Sequence, residues 1–298
     1  MSPALIMKKS TISKTLNLLG SGLAIIGVVF VIFRLQNYWS NAHLELMSFS
    51  AWLYIAGMVV VYGSSNFLLA SAWREILKHC RINVDLKWAT RTYGISQLAK
   101  YIPGNIFHIA GRQALGMASG LSPKPILKSN IYELALIATA GATSIWLVLS
   151  IIIPEITLFF GIILTLFSIA VVMFSLRLML SNDLARAFAL YILFLIISAV
   201  IFITILTLIT YNEHVEYNNL LYIGGAYIIA WLAGLITPGA PAGVGIRELV
   251  IIFFLKNIIP ESDLLLTIIL GRFVTVLGDV AFYGYAHSIS QATMNENR

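Results

Sequence analysis

The sequence predicts an all-α, polytopic membrane helix bundle, and three observations carry that reading. Of the 298 residues, 59% are hydrophobic and only 11% are charged, with a mean hydropathy of +0.89; ordinary soluble domains are about one quarter charged. The apolar residues fall into long runs, and a helix crossing ~30 Å of hydrocarbon needs about 20 of them. Lys and Arg collect in alternate loops, as the positive-inside rule requires. Hydrocarbon offers no partner to a backbone N–H or C=O, so runs of this length specify helices that satisfy their own backbone. The longest polar stretch, Trp73 to Arg91, is too short to fold alone, so residues 1–298 read as a single integral membrane domain.

Each element has its own justification. Met1 to Lys14 carries Lys8, Lys9 and Lys14 and precedes the apolar run Leu16–Leu35. No small-residue cleavage site is evident, so this run is expected to be an uncleaved first span with its N-terminus in the cytoplasm of a plasma (inner) membrane. Gln36 to Phe49 has aromatic residues and no Lys or Arg, an outer interfacial loop. Ser50–Ala72 returns, and Trp73 to Arg91 then carries Arg74, Lys78, Arg81, Lys87 and Arg91, the strongest cytoplasmic signal. Ala118 to Lys128 is loop-like, with Pro123 and Pro125. Asn130–Ile153, Ile156–Leu176, Phe188–Thr210, Leu220–Ile236 and Leu264–His287 complete seven firm spans.

Two further segments, Thr92–Gly116 and Pro238–Ile259, fit no plain span, which sets the expected total at about 7–9 with two re-entrant or broken-helix segments. The first contains Lys100-Tyr101-Ile102-Pro103-Gly104-Asn105 and runs on through His108 to Gly111-Arg112. The second contains Pro238-Gly239, then Gly243-Val244-Gly245-Ile246-Arg247-Glu248. Both read Pro-Gly, seven residues, Arg. Pro removes a backbone donor and Gly relaxes the limits on φ, so neither stretch makes a plain lipid-facing helix. Paired helix-breaking segments point to a binding site. The spacing suits two internal halves, 15–176 and 187–287, but so short a match arises as readily by chance in Gly-rich apolar sequence. If Pro238–Ile259 crosses, the C-terminal tail is cytoplasmic; if it is re-entrant, the tail is outside.

Arg112 and Arg247 end the two motifs. In parallel settings they are read as guanidinium groups that grip a phosphate through paired N–H donors; the alternative is an arginine that snorkels or anchors a helix. Lys100, Tyr101, Pro103, Gly104, Asn105 and His108 form the rest of the first candidate binding segment, and Pro238, Gly239, Gly243 and Glu248 the rest of the second. A helix beginning at Asn105 would turn backbone donors toward an anion. His108, as a lone membrane histidine, is more commonly a hydrogen-bonded packer than a proton carrier. Glu133, Arg272 and Asp279 are read as a charged network. Arg272 and Asp279 are seven residues apart on one helix face, with Gly271, Thr275 and Gly278 allowing another helix to approach closely.

Other chemistries lack their signatures. Gly243-Val244-Gly245 has neither a preceding strand nor Gly-Lys-Ser/Thr, so neither the P-loop nor the dinucleotide fingerprint applies. HExxH and G-x-S-x-G are missing from the sequence, so no metal, cofactor or catalytic nucleophile is assigned. The net charge of +6 is spread along the loops, which does not suggest nucleic acid. Cys80 is the sole cysteine, so there is no internal disulfide.

Gln97-x-x-Lys100-Tyr101-x-Pro103-Gly104, Gly111-Arg112, the later Gly120, Pro238-Gly239-x-x-x-Gly243-x-Gly245-x-Arg247-Glu248 and Gly271-Arg272-Phe273 resemble the lysylphosphatidylglycerol synthase transmembrane-region family. The resemblance covers nearly the whole chain. It implies an α-helical bundle with re-entrant segments and movement of a phosphate-headgroup lipid between leaflets. The soluble aminoacyl-transferase domain of the bifunctional members is not in this sequence, so lipid aminoacylation does not carry over. The expected function is therefore a lipid translocator acting on an anionic phospholipid or a polyprenyl-phosphate-linked lipid. Two alternatives stand beside it: a membrane-embedded glycosyl- or phosphotransferase using Glu248, and a non-catalytic scaffold of a lipid or glycan pathway. A second copy of the chain and an enzyme of lipid or glycan synthesis are the candidate protein partners.

Overall fold

The computed structural model describes residues 49–102, 106–153, 155–210, 219–237 and 241–289. The run Leu16–Leu35, the N-terminal orientation, and Pro103, Gly104, Asn105, Pro238 and Gly239 lie outside the described residues. Those described are helical throughout, without strands. In chain order the helices are α1 (Phe49–His79), α2 (Leu86–Gln97), a 3-10 turn (Leu98–Tyr101), α3 (Phe107–Ala118), α4 (Pro123–Ala142) and α5 (Ile145–Ile152). Then follow α6 (Leu158–Met179), α7 (Asn182–Ile209), α8 (Asn219–Ile236), a 3-10 turn (Pro241–Gly243), α9 (Ile246–Leu255) and α10 (Glu261–Ser288). Six stretches are long and apolar enough to cross a membrane: α1, α4 continued through α5, α6, α7, α8 and α10. The chain is a multi-pass membrane protein.

Local chemistry sets the helix ends. Asp85 caps α2 by accepting from the Trp88 N–H at 2.7 Å. Thr157 and Ser181 do the same for α6 and α7. Arg81, at φ 62°, closes α1, and the Ile82 N–H donates back to the Leu77 carbonyl at 2.9 Å. The basic loop expected over Trp73–Arg91 shrinks to residues 80–85, because α1 runs on to His79 and α2 starts at Leu86. The loop expected over Ala118–Lys128 shrinks as well. Pro123 opens α4, where its missing N–H costs nothing.

Three long helices form the frame. α1 packs against α7, α10 and α2. α1 and α10 run side by side in the same direction, with Trp52 against Phe273 at one level and Phe67 against Phe282 further along. Their closest approach is Gly63 on Gly278: a Cβ on Gly278 would stand 2.9 Å from the Gly63 nitrogen. The expected small-residue face thus holds at Gly278. It does not hold at Gly271, where an added Cβ would meet only a Phe202 ring atom, at 3.7 Å. α6 is peripheral, with Gly161 as its buried residue.

The two unusual segments are hairpins. α2 and α3 pack on each other, as do α8 and α9, and the two 3-10 turns at their tips meet. Leu98, Tyr101, Ala242 and Val276 form a small apolar cluster there. At 1.5 Å per residue, α2 and α3 are each about 18 Å long and α9 about 15 Å, well short of the ~30 Å core of a bilayer. The Arg91 guanidinium donates to the carbonyls of His287 and Ile289, which places the end of α10 beside the start of α2. α9 therefore takes the chain back toward the end where α8 began, and α10 finishes at the end that carries the basic loop.

Candidate functional site

The hairpin tips meet near the middle of α10, and three ion pairs, buried or partly buried, surround them. Asp279, fully buried, pairs with Lys100 Nζ at 2.7 Å. It also accepts from the Tyr101 hydroxyl and from Asn66 Nδ2. One carboxylate thereby ties the first tip to α10 and α1. Arg272 fixes the second tip: its Nε donates to Glu248 Oε1 at 2.9 Å, and its terminal nitrogens donate to the Ala242 and Gly243 carbonyls at 3.0 and 3.1 Å. Glu248 uses its other oxygen to accept from the Gly245 N–H at 2.7 Å, closing the start of α9. The third pair joins Arg112 of α3 to Glu133 of α4. Glu133 also accepts from the Tyr93 hydroxyl, and the guanidinium lies 4.4 Å from the Tyr93 ring centre and 5.6 Å from that of Trp73.

These contacts redistribute the expected roles. Arg112, only 2% exposed, is held by a carboxylate and two aromatic faces and does not line the central cavity. Arg247 does. It lies 5.2 Å from the Trp231 ring centre, and its buried Nε finds no acceptor. Glu133, Glu248 and Asp279 all pair with other cations. Among the described residues, four cations therefore face three carboxylates here, and the excess positive charge rests on Arg247. The two guanidinium groups anticipated to converge on one anion do not converge; Lys100 and Arg272 accompany Arg247 on the cavity wall in place of Arg112.

The cavity measures about 70 Å³. Its polar wall includes Gln97, Lys100, Tyr101, His108, Arg247 and Thr275, and its aromatic wall Tyr62, Tyr93, Phe194 and Trp231. His108 is buried, and its Nδ1 has no partner. A second cavity of about 30 Å³ lies on the other side of Arg247, against Phe202, Tyr227 and Gly271. Two glycines make the slot for the Arg247 side chain. A Cβ on Gly234 or on Gly243 would stand 2.7 Å from Arg247 Nε. Gly243, at φ 73°, needs a glycine for its backbone as well.

α3 begins at Phe107 with Ile106 as its cap, and His108 lies in its first turn. Sequence reasoning missed Asn66, Tyr93, Trp231 and Gly234, and it read Thr275 only as a small residue on a packing face. Asn66 carried the one usable signal, a lone amide deep in an apolar run. Glycine and tryptophan in a membrane helix are too common to stand out. The chain matches no protein-family model and no curated protein sequence.

Proposed function

We propose that the protein is a membrane lipid translocator whose central cavity takes the anionic phosphate headgroup of a lipid while the hydrocarbon tails remain in the bilayer. The Arg247 guanidinium on the wall of that cavity, whose Nε has no acceptor and which meets no carboxylate among the described residues, carries the reading. A cation at bilayer depth costs roughly 2.5–3.5 kcal/mol on insertion scales and is normally neutralised by a protein carboxylate. Here every neighbouring carboxylate of the described residues is committed to another cation, so the neutralising charge comes from a ligand. Arg supplies planar, paired donors that suit a phosphate.

The architecture supports the same reading. Two hairpins that enter from opposite ends and touch at mid-length resemble the broken helices at transporter sites, and we assign them as re-entrant segments. The second then takes in α8, the run expected to be a full span, so α10 ends with the basic loop and not outside, as a re-entrant Pro238–Ile259 following a crossing α8 would have required. The positive-inside rule places the basic loop, the hairpin α2–α3 and the end of α10 on the cytoplasmic side of the plasma membrane. The resemblance to the lysylphosphatidylglycerol synthase transmembrane region gives the same substrate chemistry. Both Glu248 oxygens are engaged, which leaves it poorly placed as the base of a transferase.

The test is translocation in reconstituted vesicles, using a headgroup-accessible quencher and tail-labelled anionic phosphatidylglycerol against zwitterionic phosphatidylcholine. Loss of a charge-assisted hydrogen bond worth ~1.5–3 kcal/mol predicts that Arg247→Ala slows the anionic lipid about 10- to 100-fold. An unchanged rate in correctly folded Arg247→Ala protein would exclude the site.

A further inference from the structure

We infer that the cavity opens sideways between α4 and α8, and that this seam admits the hydrocarbon chain of an amphiphile whose phosphate reaches Arg247. The inference rests on the anion-binding reading of Arg247 and adds the route and the class of ligand. Leu134 lines the cavity and is also 37% exposed on the outside of the molecule. The wall at that point therefore includes a side chain that is accessible from outside the bundle. Ile137 from α4 and Leu235 from α8 complete that side of the cavity.

Further along the seam the two helices close. A Cβ on Gly141 of α4 would stand 3.3 Å from Leu232 Cβ of α8. Among the described residues, that contact bounds the opening on one side, leaving the stretch beside Leu134 and Leu235. Its outer rim is apolar and exposed, with Ile131 at 60% and Ile236 at 63%. An apolar rim continuous with a cation-bearing cavity matches the two ends of a lipid, a hydrocarbon tail outside and a phosphate within. A free phosphate would gain nothing from such a rim. On the far side of the cavity, Tyr62 of α1 and Phe194 of α7 pack against each other at a tilt, with ring centres 6.0 Å apart.

The test separates the seam from the anion site. Leu134→Trp and Leu235→Trp narrow the opening, and Ile163→Trp on exposed α6 is the control. Each variant, wild type and Arg247→Ala is assayed twice: for movement of tail-labelled phosphatidylglycerol in vesicles, and for retention of radiolabelled inorganic phosphate by purified protein. The seam predicts that L134W and L235W slow the lipid at least tenfold while retaining phosphate, that I163W changes neither, and that R247A loses both. Lipid rates equal to the control in L134W and L235W overturn the seam and leave the anion site standing. A wild-type protein that retains phosphate but moves no lipid overturns the lipid as occupant. A wild-type protein that retains no phosphate removes the anion site and the seam with it.

Discussion

Arg112 and Arg247 end matching motifs, yet their surroundings give them opposite work. Arg112 is neutralised and buried, so its loss leaves Glu133 as an uncompensated charge. Breaking a buried pair by removing one partner costs about 3–5 kcal/mol, and replacing both with apolar residues of similar size is often close to neutral. Arg112→Met alone, or Glu133→Leu alone, is therefore expected to lower the melting temperature in detergent sharply. The double replacement should recover most of the loss, as thermal unfolding followed by fluorescence would show. Arg247→Ala should move the melting temperature little, because no protein partner is stranded. Cys80, just beyond the end of α1, gives a second test at this scale. Burial raises the pKa of its thiol, with Lys128 pulling weakly the other way. At neutral pH its thiolate fraction is below that of an exposed cysteine, so maleimide labelling in detergent should be slower than for a cysteine placed at exposed Arg81.

At the scale of elements, two contacts decide how the bundle closes. Gly278 against Gly63 brings backbone to backbone, and neither side can yield cheaply. Gly278→Ala is expected to destabilise by about 1–3 kcal/mol, the usual cost of overpacking, read as a lower melting temperature. The tip of the second hairpin holds Ala242 in the left-handed region at φ 48°, buried against Leu98, Tyr101 and Val276. That conformation costs a non-glycine residue about 1–2 kcal/mol. Ala242→Gly should therefore be tolerated or mildly stabilising, and Ala242→Val should lose both stability and transport. An Ala242→Val protein that melts and transports like wild type would show that the tip is not held as described. The sequence revealed the two hairpins as irregular through Pro103-Gly104 and Pro238-Gly239. It did not reveal that their tips touch, because that contact joins residues about 140 apart along the chain.

For the whole molecule, the direction of α10 decides which loops share an end of the bundle. The contact of Arg91 with the carbonyls of His287 and Ile289 puts the end of α10 at the end of the bundle that carries the basic loop; the expectation tied that outcome to a crossing Pro238–Ile259, and here it goes with α8 and α9 forming one hairpin. With Cys80 replaced, single cysteines at Arg81 and Ser288 should react with an impermeant reagent from one side of the membrane, and cysteines at Glu155 and Glu261 from the other. Labelling of Ser288→Cys from the side of Glu155→Cys would reverse the topology.

The sequence by itself determined the membrane class, the positions of six apolar helices and the two places where helix is interrupted. Those properties depend on local composition: run length, charge content, and Pro or Gly at a given position. Only the tertiary structure decided which charges neutralise each other, and hence that Arg247 stays unpaired while Arg112 does not. In a bilayer both faces of a helix are apolar, so periodicity does not mark the buried face. Pairing then follows from which groups share a depth on neighbouring helices, and Lys100 with Asp279, Arg112 with Glu133 and Glu248 with Arg272 meet only once the hairpins have folded into the bundle.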